Sequence, residues 1–183
     1  MRTTIDRLMG RHSDERAWRI GAKGERLVGE ELRRLSGRDP RWTALHAIPV
    51  GRRGADIDHL LMGPGGVFAL NTKHHPDARI RVNGSTFTVN GHRVPYVHRS
   101  EREAERATRL LSAAVGRPVP VTGVIVPVGC RAPITVAVQP RWVHVVTRRD
   151  LVGWMSALGP VWSVPDLHQI WEKARRSTTW ARD

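Results

Sequence analysis

The sequence has almost no cysteine and no long apolar run. Cys130 is its only cysteine, so it cannot form an internal disulfide and has no CxxC partner for a zinc site. The first residues are charged through Arg19, and no stretch approaches the roughly 18 apolar residues that a membrane-spanning helix needs. P-loop, GxSxG and dinucleotide-binding motifs are missing as well. These absences exclude several enzyme classes and predict a soluble, cytoplasmic protein.

Acidic residues are few compared with basic ones. Thirty Lys and Arg face 17 Asp and Glu, which gives a formal net charge of +13 in 183 residues. A basic excess of this size attracts polyanions, so nucleic acid is the expected partner and a membrane is not. Only three of the thirty basic residues are lysines, which singles out Lys73 as a position where arginine is not used. With 40% apolar residues, the chain can form a core and fits one domain, residues 1–183.

The first half of the chain predicts one helix and then several short strands. Apolar residues recur at helical spacing from about residue 16 to 35, and Asp39-Pro40 supplies a stop. Glycine-containing turns then separate short segments rich in large apolar residues, and two Asn-Gly pairs signal hairpins. The predicted strands are 42–50, 55–62, 66–72, 79–82, 86–89 and 92–94, the last three forming a ribbon that continues the sheet or lies beside it.

The second half predicts a further helix, a buried strand and a helical end. Ser100 and Glu103 have capping-box spacing ahead of a helix over 100–115, and Gly116 follows its end. The nearly continuous apolar run 121–126 is typical of a strand covered on both faces. Shorter strands over 134–138 and 142–146 and helices over 151–158 and 165–175 complete an α/β fold, one central mixed β-sheet flanked by helices.

Polar side chains gather at the ends of the second and third strands. Asp56 and Asp58 alternate with Ile57 and so should share a face, as should Asn71 and Lys73. The Gly63–Gly66 turn makes the two strands antiparallel neighbours, so their ends can meet. Carboxylate and amide oxygens beside an ammonium suit a hard divalent cation such as Mg²⁺ or Mn²⁺, with the lysine acting on water or phosphate.

Two glutamates on the first helix could complete this site. Glu25 borders the apolar face of the helix, where a carboxylate is costly unless it has a partner. Glu31 borders the same face and is a rival. Helical spacing alone does not choose between them.

Three segments in order resemble a known family. The runs Gly21–Glu25, Asp56–His59 and Gly66–Lys73 resemble the nuclease-related domain (NERD) family over about residues 20–128, and residues 129–183 form a C-terminal strand and helix extension. That family belongs with the restriction-endonuclease-like, PD-(D/E)xK superfamily of metal-dependent phosphodiesterases. The resemblance implies a restriction-endonuclease-like core with Mg²⁺ or Mn²⁺. It also implies the roles of the four site residues: first-helix acid for Glu25, metal-binding aspartate for Asp58, the position usually held by Glu or Gln for Asn71, and catalytic lysine for Lys73.

Asn71 is the departure from the family pattern. Its amide oxygen can ligate Mg²⁺ but carries no negative charge, so metal affinity should fall, and Asp56 might compensate. The resemblance therefore implies a divalent-metal-dependent nuclease that hydrolyses phosphodiester bonds in DNA, more so than in RNA, weakened by Asn71. The alternative is a catalytically degenerate nucleic-acid-binding or protein-interaction module on the same fold.

Basic residues near the site are candidates for nucleic-acid contacts. Arg52 and Arg53 lie in the loop before the second strand, and His74 and His75 follow Lys73 directly. An arginine ridge on the second helix could bind phosphate or could simply be a solvent-exposed charged face. Its members are Arg99, Arg102, Arg106 and Arg109.

Overall fold

The computed structural model describes residues 4–51, 55–131 and 133–181. Arg52 and Arg53, two of the predicted nucleic-acid contacts, lie outside these ranges. The elements run in the order α1 (Thr4–Arg38), β1 (Thr43–Val50), β2 (Ala55–Gly63), β3 (Gly66–His74), β4 (Ile80–Asn83), β5 (Thr86–Val89), β6 (His92–Val94), α2 (Tyr96–Val115), β7 (Val121–Val128), β8 (Thr135–Val138), β9 (Val143–Val145), α3 (Arg148–Ser156), α4 (Val164–Ala174) and α5 (Ser177–Trp180).

A five-stranded mixed sheet forms the centre of the fold, in the order β1-β2-β3-β7-β9. The first three strands are antiparallel, with β2 and β3 joined by the Gly63–Gly66 turn as predicted. β7 runs parallel to β3 on one side and to β9 on the other, and nearly all of its residues are buried. The prediction of a strand covered on both faces is therefore confirmed.

Helices cover both faces of this sheet. On one face, called the α1 face, Val28 and Leu32 of α1 and Leu151 of α3 pack on β3 and β7. On the other, called the α2 face, α2, α4 and α5 pack on β2 and β3, with Leu111 and Trp180 in the shared core. This α/β arrangement is the predicted fold class, because each helix buries its apolar stripe against a strand layer.

The small strands form a second sheet beside the central one, which is one of the two positions predicted for the ribbon; the addition of β8 to it was not predicted. β4, β5 and β6 are joined by β8 in the order β6-β5-β4-β8. Its apolar residues Ile80 and Phe87 pack against Val97 at the start of α2 and against Ile125 of β7. A separate sheet results because this ribbon has its own apolar face, which covers the first turns of α2 instead of extending the central ladder.

Helix ends differ from the predictions in two places. α1 begins at Thr4, well before residue 16, and ends at Arg38 close to the predicted stop. α2 begins at Tyr96, and its N-cap Pro95 makes no side-chain capping bond, so the predicted Ser100–Glu103 capping box is wrong. Gly116 does end α2, with a φ of 84° that favours glycine. None of the helices described is both long and apolar enough to cross a membrane.

Candidate active site

Side-chain alternation along β2 is interrupted beside the predicted site. The β1–β2 ladder skips the position where Ala47 faces Asp58, and Ala47 has a φ of 49°. Ile57 and Leu60 consequently both enter the core beneath α2, which strict alternation forbids, while Leu61 enters the core beneath α1. Asp56 and Asp58 therefore do not simply share one face as predicted.

Two hollows flank the strand ends. The first, called the α2-side pocket, has a volume of about 710 Å³ and contains Asp56 and Glu103; the second, called the α1-side hollow, has about 310 Å³ and contains Glu25, Asp58 and the two histidines His46 and His59. The basic residues of the α2-side pocket are the predicted arginine ridge, Arg99, Arg102, Arg106 and Arg109.

Asp58 ties β2 to the end of β3. Its Oδ2 atom accepts a hydrogen bond of 2.7 Å from the backbone N–H of Thr72, just beyond the last paired residues of the two strands, His59 and Leu70. Burial raises the pKa of Asp58, while the Thr72 amide and the Lys73 charge oppose that shift. The carboxylate is held in place with oxygen lone pairs left for a ligand.

Asn71 points from β3 toward α2 and meets a residue that the sequence reasoning missed. Its Nδ2 donates a 3.0 Å hydrogen bond to Oε2 of Glu103. The side chain is only 8% exposed, and its Oδ1 atom has no hydrogen-bond partner. Glu103 was predicted to cap a helix, yet it lies one turn before Ala107 on the apolar side of α2. The argument applied to Glu25, a carboxylate on an apolar helix face, would have found it.

The carboxyl group of Glu103 is costly to ionise where it lies. Burial raises its pKa to about 7, and the charge of Asp58 adds to this, while Asn71 and Lys73 oppose it. Its Oε1 atom is buried and has no partner. Among the described residues, no cation forms an ion pair with Glu103. The group thus titrates near neutrality and keeps one oxygen free.

Lys73 lies on the same face of β3 as Asn71. Its Nζ atom is 5.1 Å from the centroid of the Tyr96 ring, a cation–π contact made by the first residue of α2. Tyr96 is itself fixed by His75, whose Nε2 is hydrogen-bonded to its hydroxyl at 2.9 Å. Burial lowers the pKa of Lys73, and the charges of Asp58 and Glu103 oppose the shift. A half-buried lysine of this kind is common at functional sites.

The structure separates the two rival glutamates of α1. Glu31 is 7% exposed and is ion-paired, with Arg34 at 3.1 Å and Arg148 at 3.7 Å. Glu25 lies instead in the α1-side hollow with Asp58. Burial and the charge of Asp58 raise the pKa of Glu25, and Lys73 lowers it. Of the two, Glu25 is the one that lies beside Asp58.

Close packing of α1 on β3 positions Glu25. A Cβ atom added at Gly24 would lie 2.8 Å from Cβ of His74 and 3.1 Å from Cγ2 of Thr72, so only glycine fits without a shift. Because Glu25 follows Gly24 directly, this close approach brings its carboxyl group to the end of β3. Close packing of α1 on β3 therefore explains the glycine at position 24 of the Gly21–Glu25 run.

The histidines near the site bond within the protein. His46 and His59 share a 2.7 Å hydrogen bond between their Nδ1 atoms. Burial and the charge of His46 lower the pKa of His59 to about 4. His74 donates from Nδ1 to the carbonyl of Ile20 at 2.6 Å, and His75 contacts Tyr96. The structure thus gives His74 and His75 internal partners, and their contact with nucleic acid stays a prediction.

The donor atoms fit a hard divalent cation better in type than in number. Asp58, Asn71 and Glu103 offer oxygen ligands, and two buried oxygens, Asn71 Oδ1 and Glu103 Oε1, lack partners. In the described ranges no group of three or more His, Cys, Asp or Glu is placed to hold a metal. Mg²⁺, however, takes one or two carboxylates and keeps several waters, so such a group is not required.

Comparison with known proteins identifies the family. Neither the curated proteins nor the solved structures contain a match. The family described as nuclease-related domain matches residues 20–128, which is more than half of the chain and includes Glu25, Asp58, Asn71 and Lys73. The α/β core with mixed sheets flanked by helices is consistent with a restriction-endonuclease-like nuclease and with the PD-(D/E)xK superfamily. The chain therefore belongs to the nuclease-related domain family.

Proposed function

We propose that the chain is a divalent-metal-dependent nuclease that hydrolyses phosphodiester bonds in DNA. The observation that carries this proposal is the half-buried Lys73 beside the carboxyl groups of Asp58 in β2 and Glu103 in α2: burial lowers the pKa of Lys73, and the two carboxyl groups oppose that shift. The match to the nuclease-related domain and the net charge of +13 support a nucleic-acid substrate.

The oxygen-bearing residues have the task of holding a cation. Asp58 and Asn71 would bind Mg²⁺ or Mn²⁺, with Glu25 supporting the ion or its water. When bound, such an ion polarises a phosphoryl oxygen and lowers the pKa of a bound water. The 2.7 Å bond from the Thr72 amide keeps the Asp58 carboxylate oriented for this role.

Lys73 has the task of orienting water and balancing charge. The oxygen of a water attacks phosphorus and the water gives up a proton to solvent, while one P–O ester bond breaks and the leaving oxygen takes a proton from solvent. The ammonium of Lys73 donates hydrogen bonds to the attacking water or to a non-bridging oxygen, where negative charge builds. Its contact with the Tyr96 ring holds the side chain at the site while leaving its N–H groups free to donate.

The substrate backbone has basic contacts available beside these residues. Arg99 and Arg102 are exposed in the α2-side pocket, next to Glu103. Guanidinium groups in such a pocket can bind phosphates on either side of the scissile bond. We include Arg52, Arg53, His74 and His75 as further contacts to the phosphates.

Cleavage of DNA by the full chain tests the proposal. Supercoiled plasmid, linear DNA and an RNA of matched sequence are incubated with Mg²⁺, Mn²⁺ or a chelator. We expect metal-dependent cutting of DNA that is lost in Asp58→Asn and Lys73→Ala and is retained in Lys173→Ala, a lysine of α4 far along the chain from the site. Cutting that persists in the chelator, or in Lys73→Ala, would contradict the proposal.

A nucleic-acid-binding module without turnover is the second candidate. The amide of Asn71, at a position that the family resemblance assigns usually to Glu or Gln, favours it, because the amide brings no negative charge to a cation. This candidate predicts salt-sensitive retention of DNA that survives Asp58→Asn and Lys73→Ala, with no cutting under any metal. Neither retention nor cutting would leave a protein-interaction module.

A further inference from the structure

We infer that Glu103 of α2 supplies the carboxylate that position 71 of β3 lacks, and that Asn71 and Glu103 together bind the divalent cation. The carboxylate lies on the helix that packs on the strand instead of on the strand itself. One carboxylate at either position 71 or position 103 should therefore be enough to bind the cation. That role rests on the nuclease function proposed above and names the ligands of its site.

The first support is the contact itself. Asn71 Nδ2 donates to Glu103 Oε2 at 3.0 Å, which leaves one acceptor on each side chain, Asn71 Oδ1 and Glu103 Oε1. Both atoms are buried and have no hydrogen-bond partner among the described residues. An unpaired buried acceptor is destabilising, and a cation bound by both oxygens would satisfy the two together.

The second support is that Glu103 forms no ion pair with a described residue, although the charge of Lys73 acts on it. Arg99 and Arg102 line the same pocket as Glu103, yet within the described ranges no arginine or lysine forms an ion pair with it. In contrast, the buried Glu31 has Arg34 and Arg148. The charge of Glu103 is thus left for a ligand.

A purely structural role for the pair explains less. A glutamine at position 103 would accept the same hydrogen bond from Asn71 without placing a charge in a buried site. Burying a carboxylate penalises its ionised form. A bound cation offsets that penalty, whereas packing alone does not.

Isosteric exchange of the two groups tests the inference. Glu103→Gln removes the carboxylate at constant shape. The double variant Asn71→Asp with Glu103→Gln restores one carboxylate at position 71, keeps the amide–carboxylate bond with its direction reversed, and leaves the net charge unchanged. Glu101→Gln, two residues away on the same helix and paired with His98, is the matched control.

The readout is Mn²⁺ binding to the full chain without DNA, by calorimetry or electron paramagnetic resonance, with circular dichroism to verify folding. We expect Glu103→Gln to weaken binding at least about tenfold, equivalent to about 1.4 kcal/mol, the double variant to recover to within about threefold, and Glu101→Gln to match the native chain. No Mn²⁺ binding by the native chain, equal binding by Glu103→Gln, or no recovery in the double variant would each overturn the inference.

Parallel DNA cleavage separates this inference from the proposed function. If Mn²⁺ binding depends on Glu103 but no metal supports cutting, the ligand assignment stands and the nuclease proposal fails. If the native chain cuts DNA and Glu103→Gln binds Mn²⁺ and cuts equally well, the nuclease proposal stands and the ligand assignment fails.

Discussion

Two glutamates on helices that cover opposite faces of the central sheet have different surroundings. Glu31 of α1 is buried, and both of its carboxylate oxygens are paired: Arg34 donates to each of them, and Arg148 lies beside Oε1. Glu103 of α2 has one amide from Asn71 and one free oxygen. Because arginine is abundant in this chain, it is informative that the partly buried Glu103 forms no ion pair with an arginine of the described residues. We therefore assign Glu31 to the stability of the fold and propose that Glu103 binds a ligand.

Removing one cation from each region should give the largest difference between the two regions. Lys73→Met keeps side-chain volume but removes the ammonium from the site, and we expect DNA cleavage to fall at least about 100-fold, as for loss of a group that stabilises developing charge. Arg148→Met beside Glu31 should leave the cleavage rate within about twofold, since it contacts no site residue. Initial rates on plasmid DNA measure both effects. Equal losses would show that the region of Glu103 matters no more for cleavage than the region of Glu31.

Stability against pH should distinguish the two glutamates next. The folded pKa of Glu103 is about 7, above that of an unfolded chain, so the folded state loses stability as pH rises from about 4.5 through 7. In a chelator, Glu103→Gln should therefore gain about 1–3 kcal/mol of unfolding free energy over the native chain at pH 8, and much less at pH 5. Urea titrations at both pH values measure this. A loss at pH 8 would give Glu103 a structural role.

The same substitution at Glu31 should act in the opposite direction. Glu31→Gln leaves Arg34 and Arg148 without their carboxylate, and we expect unfolding free energy to fall by about 1–2 kcal/mol, less than for a fully buried pair because both arginines are partly exposed. Urea titration at pH 8 gives the value. Stability equal to that of the native chain would show that the ion pairs of Glu31 do not stabilise the fold.

The smallest expected effect concerns the support of Lys73. Tyr96→Leu removes the ring on which the ammonium lies, and a cation–π contact of about 0.5–1 kcal/mol predicts a loss in cleavage rate of about two- to fivefold. Tyr96→Phe keeps the ring and gives up only the hydroxyl bond to His75, so its rate should stay near native. If Phe and Leu behave alike, the ring is not what positions Lys73.

Much of the fold could be predicted because local patterns agree with the tertiary structure. The Gly63–Gly66 turn, the stop near Asp39, the C-terminal Gly116 and the covered strand β7 all follow from short-range signals. The addition of β8 to the second sheet could not be predicted, since β4 pairs with β8 from far along the chain. The start of α2 was also missed, because Tyr96 and Val97 are fixed by that second sheet and not by a capping side chain.

The candidate site could be predicted only in part. The spacing of Asp58, Asn71 and Lys73 on adjacent strands is local information, and the structure places these residues on β2 and β3. Helical spacing left Glu25 and Glu31 open, the family resemblance selected Glu25, and the structure adds that Glu31 is paired with Arg34 and with Arg148 of α3. Glu103 comes 32 residues after Asn71, and only the packing of α2 on β3 brings the two side chains together.

Initial rates of plasmid cleavage in Mn²⁺ test most directly whether Glu103, unlike Glu31, binds the metal ion. The rates are measured for the native chain, Glu31→Gln and Glu103→Gln, each with a chelator control. We expect the native chain and Glu31→Gln to cut at similar rates, Glu103→Gln to be at least about tenfold slower, and chelation to stop all three. Equal rates for all three proteins, or no cleavage by any of them, would contradict this expectation.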